Sequence, residues 1–300
     1  MELERTLHGA QPTLPCPEYT RAELAALIEN APKLSQEGND NANADLFLLG
    51  DTVLKLFFQS APRTRDNICN LLAMRRTPAL FHIDGLALPK ELIRCEGRIV
   101  GYRMPYISGV TLYRYLTDRT SPFQQKLGVF KQLADVINRL PQGVYIGDLH
   151  AGNVMVDAAR KAYVIDTDGF SFRDGAMIPI ALPLPEIPGK YRTPEGEPIV
   201  SRNSDIFCLL HIFLSFLSNG TDVLLCGYGE EYLRYLRGTT VPKALADALE
   251  AALSPSENAI PADAFDLNAR HLEELRYDTF LNTTGRIKDE RNAMRLLKRL

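Results

Sequence analysis

The run Val144-Tyr-Ile-Gly-Asp148-Leu-His-Ala-Gly-Asn153-Val-Met-Val156, continued by Ala162-Tyr-Val-Ile-Asp166-Thr-Asp168-Gly-Phe170, decides how this chain is read. An acid, an amide five residues later and an acid thirteen residues beyond that stand among apolar, strand-like segments. The layout suits phosphoryl transfer. One carboxylate orients an attacking hydroxyl and accepts its proton, while the amide and the second carboxylate supply hard oxygen ligands for Mg²⁺ on nucleotide phosphates. Such chemistry asks for positioning and charge neutralisation more than for covalent participation, so three groups of these types at fixed spacing carry information. Short Asp/Asn/Gly runs also make ordinary turns, and it is the combined spacing that sets this one apart.

The stretch resembles the catalytic core of the protein-kinase-like superfamily. The kinase catalytic loop reads His-Arg-Asp-Leu-x-x-x-Asn, and Ile146-Gly147-Asp148-Leu149-His150-Ala151-Gly152-Asn153 occupies it. By that resemblance Asp148 is the catalytic base, and Asn153 and Asp166 are metal ligands, with Asp166-Thr167-Asp168 in place of Asp-Phe-Gly. Gly-Asp-Leu-His-x-Gly-Asn is similar to the aminoglycoside-kinase and atypical-kinase branches as much as to eukaryotic-type kinases. His150 is expected to be a neutral structural or phosphate-proximal residue rather than a metal ligand.

Other pieces fall in the same order. Thr52-Val-Leu-Lys55-Leu-Phe-Phe58 reads as a strand and resembles the kinase Val-Ala-Ile-Lys strand. A lone strand lysine commonly points to solvent; here the resemblance implies that Lys55 holds the α/β-phosphates of ATP. Arg103 to Leu112 resembles the end of the fifth strand, the interlobe hinge and the start of a helix, with Met104 as gatekeeper and the backbone of Pro105 to Ile107 facing adenine. Pro105 lacks an N–H, but that position is asked only for a carbonyl. Arg192-Thr-Pro-Glu195 resembles the Ala-Pro-Glu that closes an activation segment. In Ser204-Asp205-Ile-Phe-Cys-Leu-Leu-His-Ile-Phe-Leu-Ser-Phe-Leu217, Ser204 is the expected N-cap, and Asp205 matches the aspartate that supports the catalytic-loop backbone. That helix is apolar nearly all round, hence buried, and its apolar run falls short of the ~20 residues that span a membrane.

Three positions depart from the kinase pattern. The loop between Leu34 and Phe47 keeps a single glycine, Gly38, to turn backbone N–H groups toward phosphate. Residues 65–74 read as a helix with no glutamate to pair with Lys55, and Asn67 aligns best with that position. Gly147 replaces the arginine that docks a phosphorylated activation loop, so activity is expected without phosphorylation of Ser171, Tyr191 or Thr193. A narrower similarity, to bacterial kinase-like proteins, rests on Asn70-Leu-Leu-Ala-Met-Arg-Arg-Thr-Pro78, a Pro-containing strand at Leu86-Ala-Leu-Pro89, and Gly97-Arg-Ile-Val-Gly-Tyr-Arg-Met-Pro105. It implies a bacterial source and a Ser/Thr protein kinase.

Composition sets bounds. Three hundred residues accommodate two lobes around one core chemistry. A net charge of −3 and a pI near 6.0 give no electrostatic case for nucleic acid. Five scattered cysteines without Cys-x-x-Cys suit reduced thiols in a cytoplasm rather than zinc or a disulfide framework. No apolar leader follows Met1, so no signal peptide and no membrane partner are expected.

Along the chain, residues 1–30 read as an N-terminal extension containing a helix capped by Thr20 and Glu23, a capping box. Residues 31–107 read as a small β-rich lobe, 108–255 as a larger, mainly helical lobe with a late helix over 241–253, and 256–300 as a helical extension whose basic end docks on the body or stands as a solvated helix end. The fold class expected is α+β, bilobal and protein-kinase-like. The expected activity is ATP- and Mg²⁺-dependent transfer to Ser/Thr hydroxyls of a protein substrate. A small-molecule kinase of the aminoglycoside or choline type, and a pseudokinase that binds nucleotide without transfer, are the alternatives.

Overall fold

The computed structural model describes residues 14–34, 43–173, 200–218, 224, 228–254 and 259–285. The chain is α+β. Its first part carries β1 (Glu18–Tyr19), α1 (Arg21–Ile28), β2 (Ala44–Leu49), β3 (Thr52–Phe57), α2 (Thr64–Arg75), β4 (Glu91–Cys95) and β5 (Arg98–Pro105). There follow β6 (Gly109–Thr111), α3 (Leu112–Thr117), α4 (Phe123–Arg139), β7 (Val144–Tyr145), β8 (Val154–Asp157), β9 (Ala162–Val164) and β10 (Ser171–Phe172). Among the described residues there follow α5 (Arg202–Leu217), α6 (Gly229–Leu236), α7 (Lys243–Leu253), α8 (Ala269–Leu275) and α9 (Tyr277–Thr284). The chain divides into two compact units, passing from one to the other after Gly109, Arg139, Ile146 and Ala162 and once more before α5.

The first unit is built on a five-stranded sheet in the order β1-β4-β5-β3-β2, antiparallel except for the β1–β4 pair. The segment expected to stand outside as an extension supplies its edge: besides β1, the carbonyls of Pro15 and Pro17 accept from the N–H groups of Leu92 and Arg94. Thr20 and Glu23 form the anticipated capping box on α1. Strand β3 does not alternate inside and outside; Thr52, Val53, Leu54, Lys55 and Phe57 are all buried, as in a strand covered on both faces. Leu46, Val53, Phe57, Leu71, Leu92, Tyr102 and Met104 meet in its core.

The Pro-containing strand expected at residues 86–89 is not one. Leu86 makes a single bridge to Val164, and the next strand begins only at Glu91. Pro89 has no N–H to give a ladder.

Strands β3 and β5 approach so closely that a Cβ at Gly101 would lie 2.1 Å from the Lys55 carbonyl oxygen. Backbone cannot swing aside as a side chain can. Gly101→Ala should therefore lower stability by about 2 kcal/mol or more, measured by denaturant titration.

The second unit centres on α5, buried on nearly every side from Asn203 to Leu214. Phe130 of α4, Phe213 of α5 and Phe265 form an aromatic cluster with centroids 5.0–5.6 Å apart. The N-cap of α5 is Ser201, not Ser204. Ser204 sits three residues in and completes a reciprocal cap, its hydroxyl accepting from the Ser201 N–H. A serine at each end of that box made the sequence ambiguous by one turn. The late helix starts at Lys243 because Pro242 caps it rather than opening it from Val241. Among the described residues no helix is long and apolar enough to cross a membrane. Gly38, Arg192 to Glu195, Tyr191, Thr193 and the basic stretch 286–300 lie outside the described residues.

Candidate functional site

Two constellations carry the residues singled out from sequence, one in each unit.

In the first unit, Lys55 projects from the middle of β3. Register places Tyr102 of β5 directly opposite it, so both side chains leave the same face of the sheet. The Lys55 Nζ donates to Asp166 Oδ1 and, at 2.8 Å, to Asp168 Oδ1. Asp168 is fully buried and accepts two further hydrogen bonds: from Tyr102 Oη at 2.5 Å, and from Asn67 Nδ2 of α2. One helical turn on, Asn70 Nδ2 donates to the Phe170 carbonyl at 2.5 Å. Asn67 and Asn70 thus share the buried face of α2, as a spacing of three requires, while Asp66 is exposed.

The acidic turn is anchored from both sides. Upstream, Val164 exchanges hydrogen bonds with Gly85 and Ala87. Downstream, Ser171 and Phe172 pair with Tyr145 and Val144. Between these anchors Asp166 adopts φ 60°, ψ 39°, the left-handed region that a non-glycine residue rarely occupies. Strain of this kind persists only where the surroundings over-determine it, and such residues gather at functional sites. Ser171 lies buried in β10 rather than on a loop, so its hydroxyl is not an exposed phosphorylation target.

Electrostatics follow from this packing. Burial pulls the Lys55 ammonium toward its neutral form, but the Asp166 and Asp168 carboxylates more than reverse that and hold its pKa above the ordinary lysine value. Burial likewise works against the Asp168 charge, yet Lys55, Tyr102 and Asn67 together hold its carboxyl below the ordinary range. Burial, reinforced by Asp168, keeps the Tyr102 phenol well above its usual value, hence protonated and donating. Asp166 differs from its neighbour in keeping 41% of its side-chain surface exposed.

In the second unit, Gly147 has φ 73° and donates its N–H to Asp205 Oδ1 at 2.8 Å. Asp205 is fully buried in the first turn of α5, where the helix dipole favours a negative charge. A left-handed backbone explains why position 147 is glycine and not arginine. The half-buried Asp148 follows. Its carbonyl accepts from Asn153 Nδ2 at 3.1 Å, and the Asn153 N–H closes a turn onto the His150 carbonyl at 3.0 Å. His150 Nδ1 accepts from the Gly152 N–H, so the imidazole braces the turn. With its nitrogen committed, Asn153 presents its amide oxygen as the acceptor. Amide and carboxylate oxygens are the donors that Mg²⁺ takes, and a half-exposed carboxylate such as Asp166 suits an ion that sheds its waters reluctantly.

The remaining expected positions belong to the first unit. Met104 is buried in the core of that unit, Pro105 ends β5 opposite Thr52, and Ile107 is half-buried. The Tyr106 N–H is committed to the Asp51 carbonyl at 2.9 Å. Asn67 takes the expected place on α2 but reaches Asp168 rather than Lys55.

Sequence reading assigned no role to Asp168, Tyr102 or Asn70. The second acid of Asp166-Thr-Asp168 was visible; its depth was not. Tyr102 could have been found only from the β3–β5 register. No protein-family model matches the chain, and no curated protein matches it.

Proposed function

We propose that this chain is a kinase of the bilobal protein-kinase-like kind, transferring the terminal phosphoryl group of ATP to Ser/Thr hydroxyls of a protein substrate. The observation that carries this reading is the ion pair of Lys55 with Asp166, 111 residues apart. Two residues picked from separate motifs for one chemistry are in direct contact. The Gly147–Asp205 hydrogen bond is a second such meeting, across 58 residues.

Within this reading Lys55 offers a compact cation to the phosphates, and the Asp148 carboxylate accepts the proton of the attacking hydroxyl. Asn153 and Asp166 would hold Mg²⁺, which neutralises phosphate charge when bound. The pseudokinase alternative drew on the missing helix glutamate; with Asp168 beside Lys55, the lysine has a buried carboxylate partner without one. A small-molecule acceptor remains the alternative substrate class.

Radiolabelled ATP, offered with generic protein substrates and a panel of aminoglycosides and amino alcohols, tests the reading, with Asp166→Ala as the blank. Label on serine and threonine is the expected result. Label only on small molecules would replace the substrate class, and no label above the blank would sink the transferase reading.

Control should not run through the activation segment. Position 147 is left-handed and its N–H is held by Asp205, so no arginine precedes Asp148 to receive a phosphate. Tyr191→Phe and Thr193→Ala, singly or together, should change kcat by less than about tenfold, roughly 1.4 kcal/mol of barrier. Phosphatase treatment should leave activity standing; a drop to the Asp148-mutant level in either test would refute constitutive activity.

A further inference from the structure

We infer that Asp168 is a positioning residue, the fixed counter-ion that keeps Lys55 in place so that Asp166 is free to engage a cation. The inference rests on the phosphoryl-transfer reading and assigns to an acid on the metal-ligand turn the task expected of a glutamate on α2.

The two carboxylates on Lys55 are not equivalent. Asp168 has none of its side chain exposed and is gripped from three elements: Lys55 of β3, Tyr102 of β5 and Asn67 of α2. A hydrated cation cannot reach it. Asp166 touches the same ammonium yet keeps 41% of its side chain open to solvent, on a turn held in a strained conformation. Were Asp166 the sole partner, drawing it toward a cation would leave a buried ammonium uncompensated, which is strongly unfavourable. Asp168 removes that conflict, because Lys55 stays neutralised whichever way Asp166 turns.

The amide at position 67 belongs to the same arrangement. It donates to Asp168 Oδ2. A glutamate there would set one carboxylate against another in a buried place, so the absence of an acid from the buried face of α2 and the presence of Asp168 are two sides of one design.

The test compares ATP affinity, by calorimetry, with Mg²⁺ and with chelator, and takes the ratio as the readout. In the wild type Mg²⁺ should tighten ATP; in Asp166→Ala it should not. Asp168→Asn frees Lys55 to capture Asp166, so the ratio should fall by at least about fivefold, with Asp168→Glu recovering part of it. A merely structural Asp168 would instead lower the melting temperature, or both affinities equally, with the ratio unchanged, and that outcome overturns the inference. If Asp168→Asn does not fold, Tyr102→Phe and Asn67→Ala each remove one donor to Asp168 and should lower the ratio in part; an unchanged ratio in both is equally fatal. A wild type that binds ATP with no response to Mg²⁺ also overturns it. A wild type that binds no ATP under either condition removes the phosphoryl-transfer reading itself.

Discussion

Asp148→Asn should reduce phosphoryl transfer by about 10²- to 10⁴-fold, the range that a positioned general base contributes, while nucleotide affinity stays within about twofold of wild type, well under 1 kcal/mol. The change is isosteric. Three contacts that hold the loop around it do not use the Asp148 carboxylate: Gly147 N–H on Asp205, Asn153 Nδ2 on the Asp148 carbonyl, and Gly152 N–H on His150. All three survive the substitution. The asparagine cannot take a proton, so the deficit should fall on kcat, read in steady-state assays beside calorimetric binding of Mg²⁺·ATP. If affinity collapses together with turnover, Asp148 contacts the nucleotide and is not the base. If neither moves, the catalytic-loop reading is wrong.

Lys55→Met should produce two losses. Transfer should fall by orders of magnitude, because a cation on the phosphates is removed. Stability should fall as well. The side chain is buried, and its removal leaves Asp168 sealed beside Asp166 with no cation. Breaking a buried pair in this way costs about 3–5 kcal/mol; with Asp166 partly screened by solvent, the lower end is expected.

The pH dependence has a definite sign. Asp168, held below its ordinary pKa, contributes stability that is present above the unfolded carboxylate value near ~3.9 and is lost as pH falls through the folded one. Lys55, held above its ordinary pKa, contributes below ~10.4 and loses that contribution as pH rises through the folded value. The difference between wild type and Lys55→Met should therefore be largest near neutral pH and shrink on the acid side as the paired carboxylates protonate, and on the alkaline side as pH rises past the ordinary lysine value. Urea titrations from acid to alkaline pH measure it; a difference that grows on the acid side would assign the stability to other groups.

Local signals were legible in the sequence wherever neighbours along the chain settle the matter. The Thr20/Glu23 capping box, the apolar β3 with its single lysine, and the all-round apolar α5 need only nearby residues to be specified. The Asp205 support of the loop before Asp148 was likewise anticipated, because the resemblance carries a long-range contact that the residues alone do not. Periodicity and spacing thus indicated the element types and nominated Asp148 and Asp166, while the resemblance nominated Lys55. Only the tertiary structure decided what surrounds them. Asp168 reads in sequence as one more polar residue of an Asp-Gly turn, and becomes a sealed counter-ion because β3, β5 and α2 close over it from 113, 66 and 101 residues away. The ordinary cost of burying a charge is the reason a sequence cannot announce this: a buried carboxylate is tolerable only where donors converge, and convergence is a property of register and packing rather than of any local run of residues.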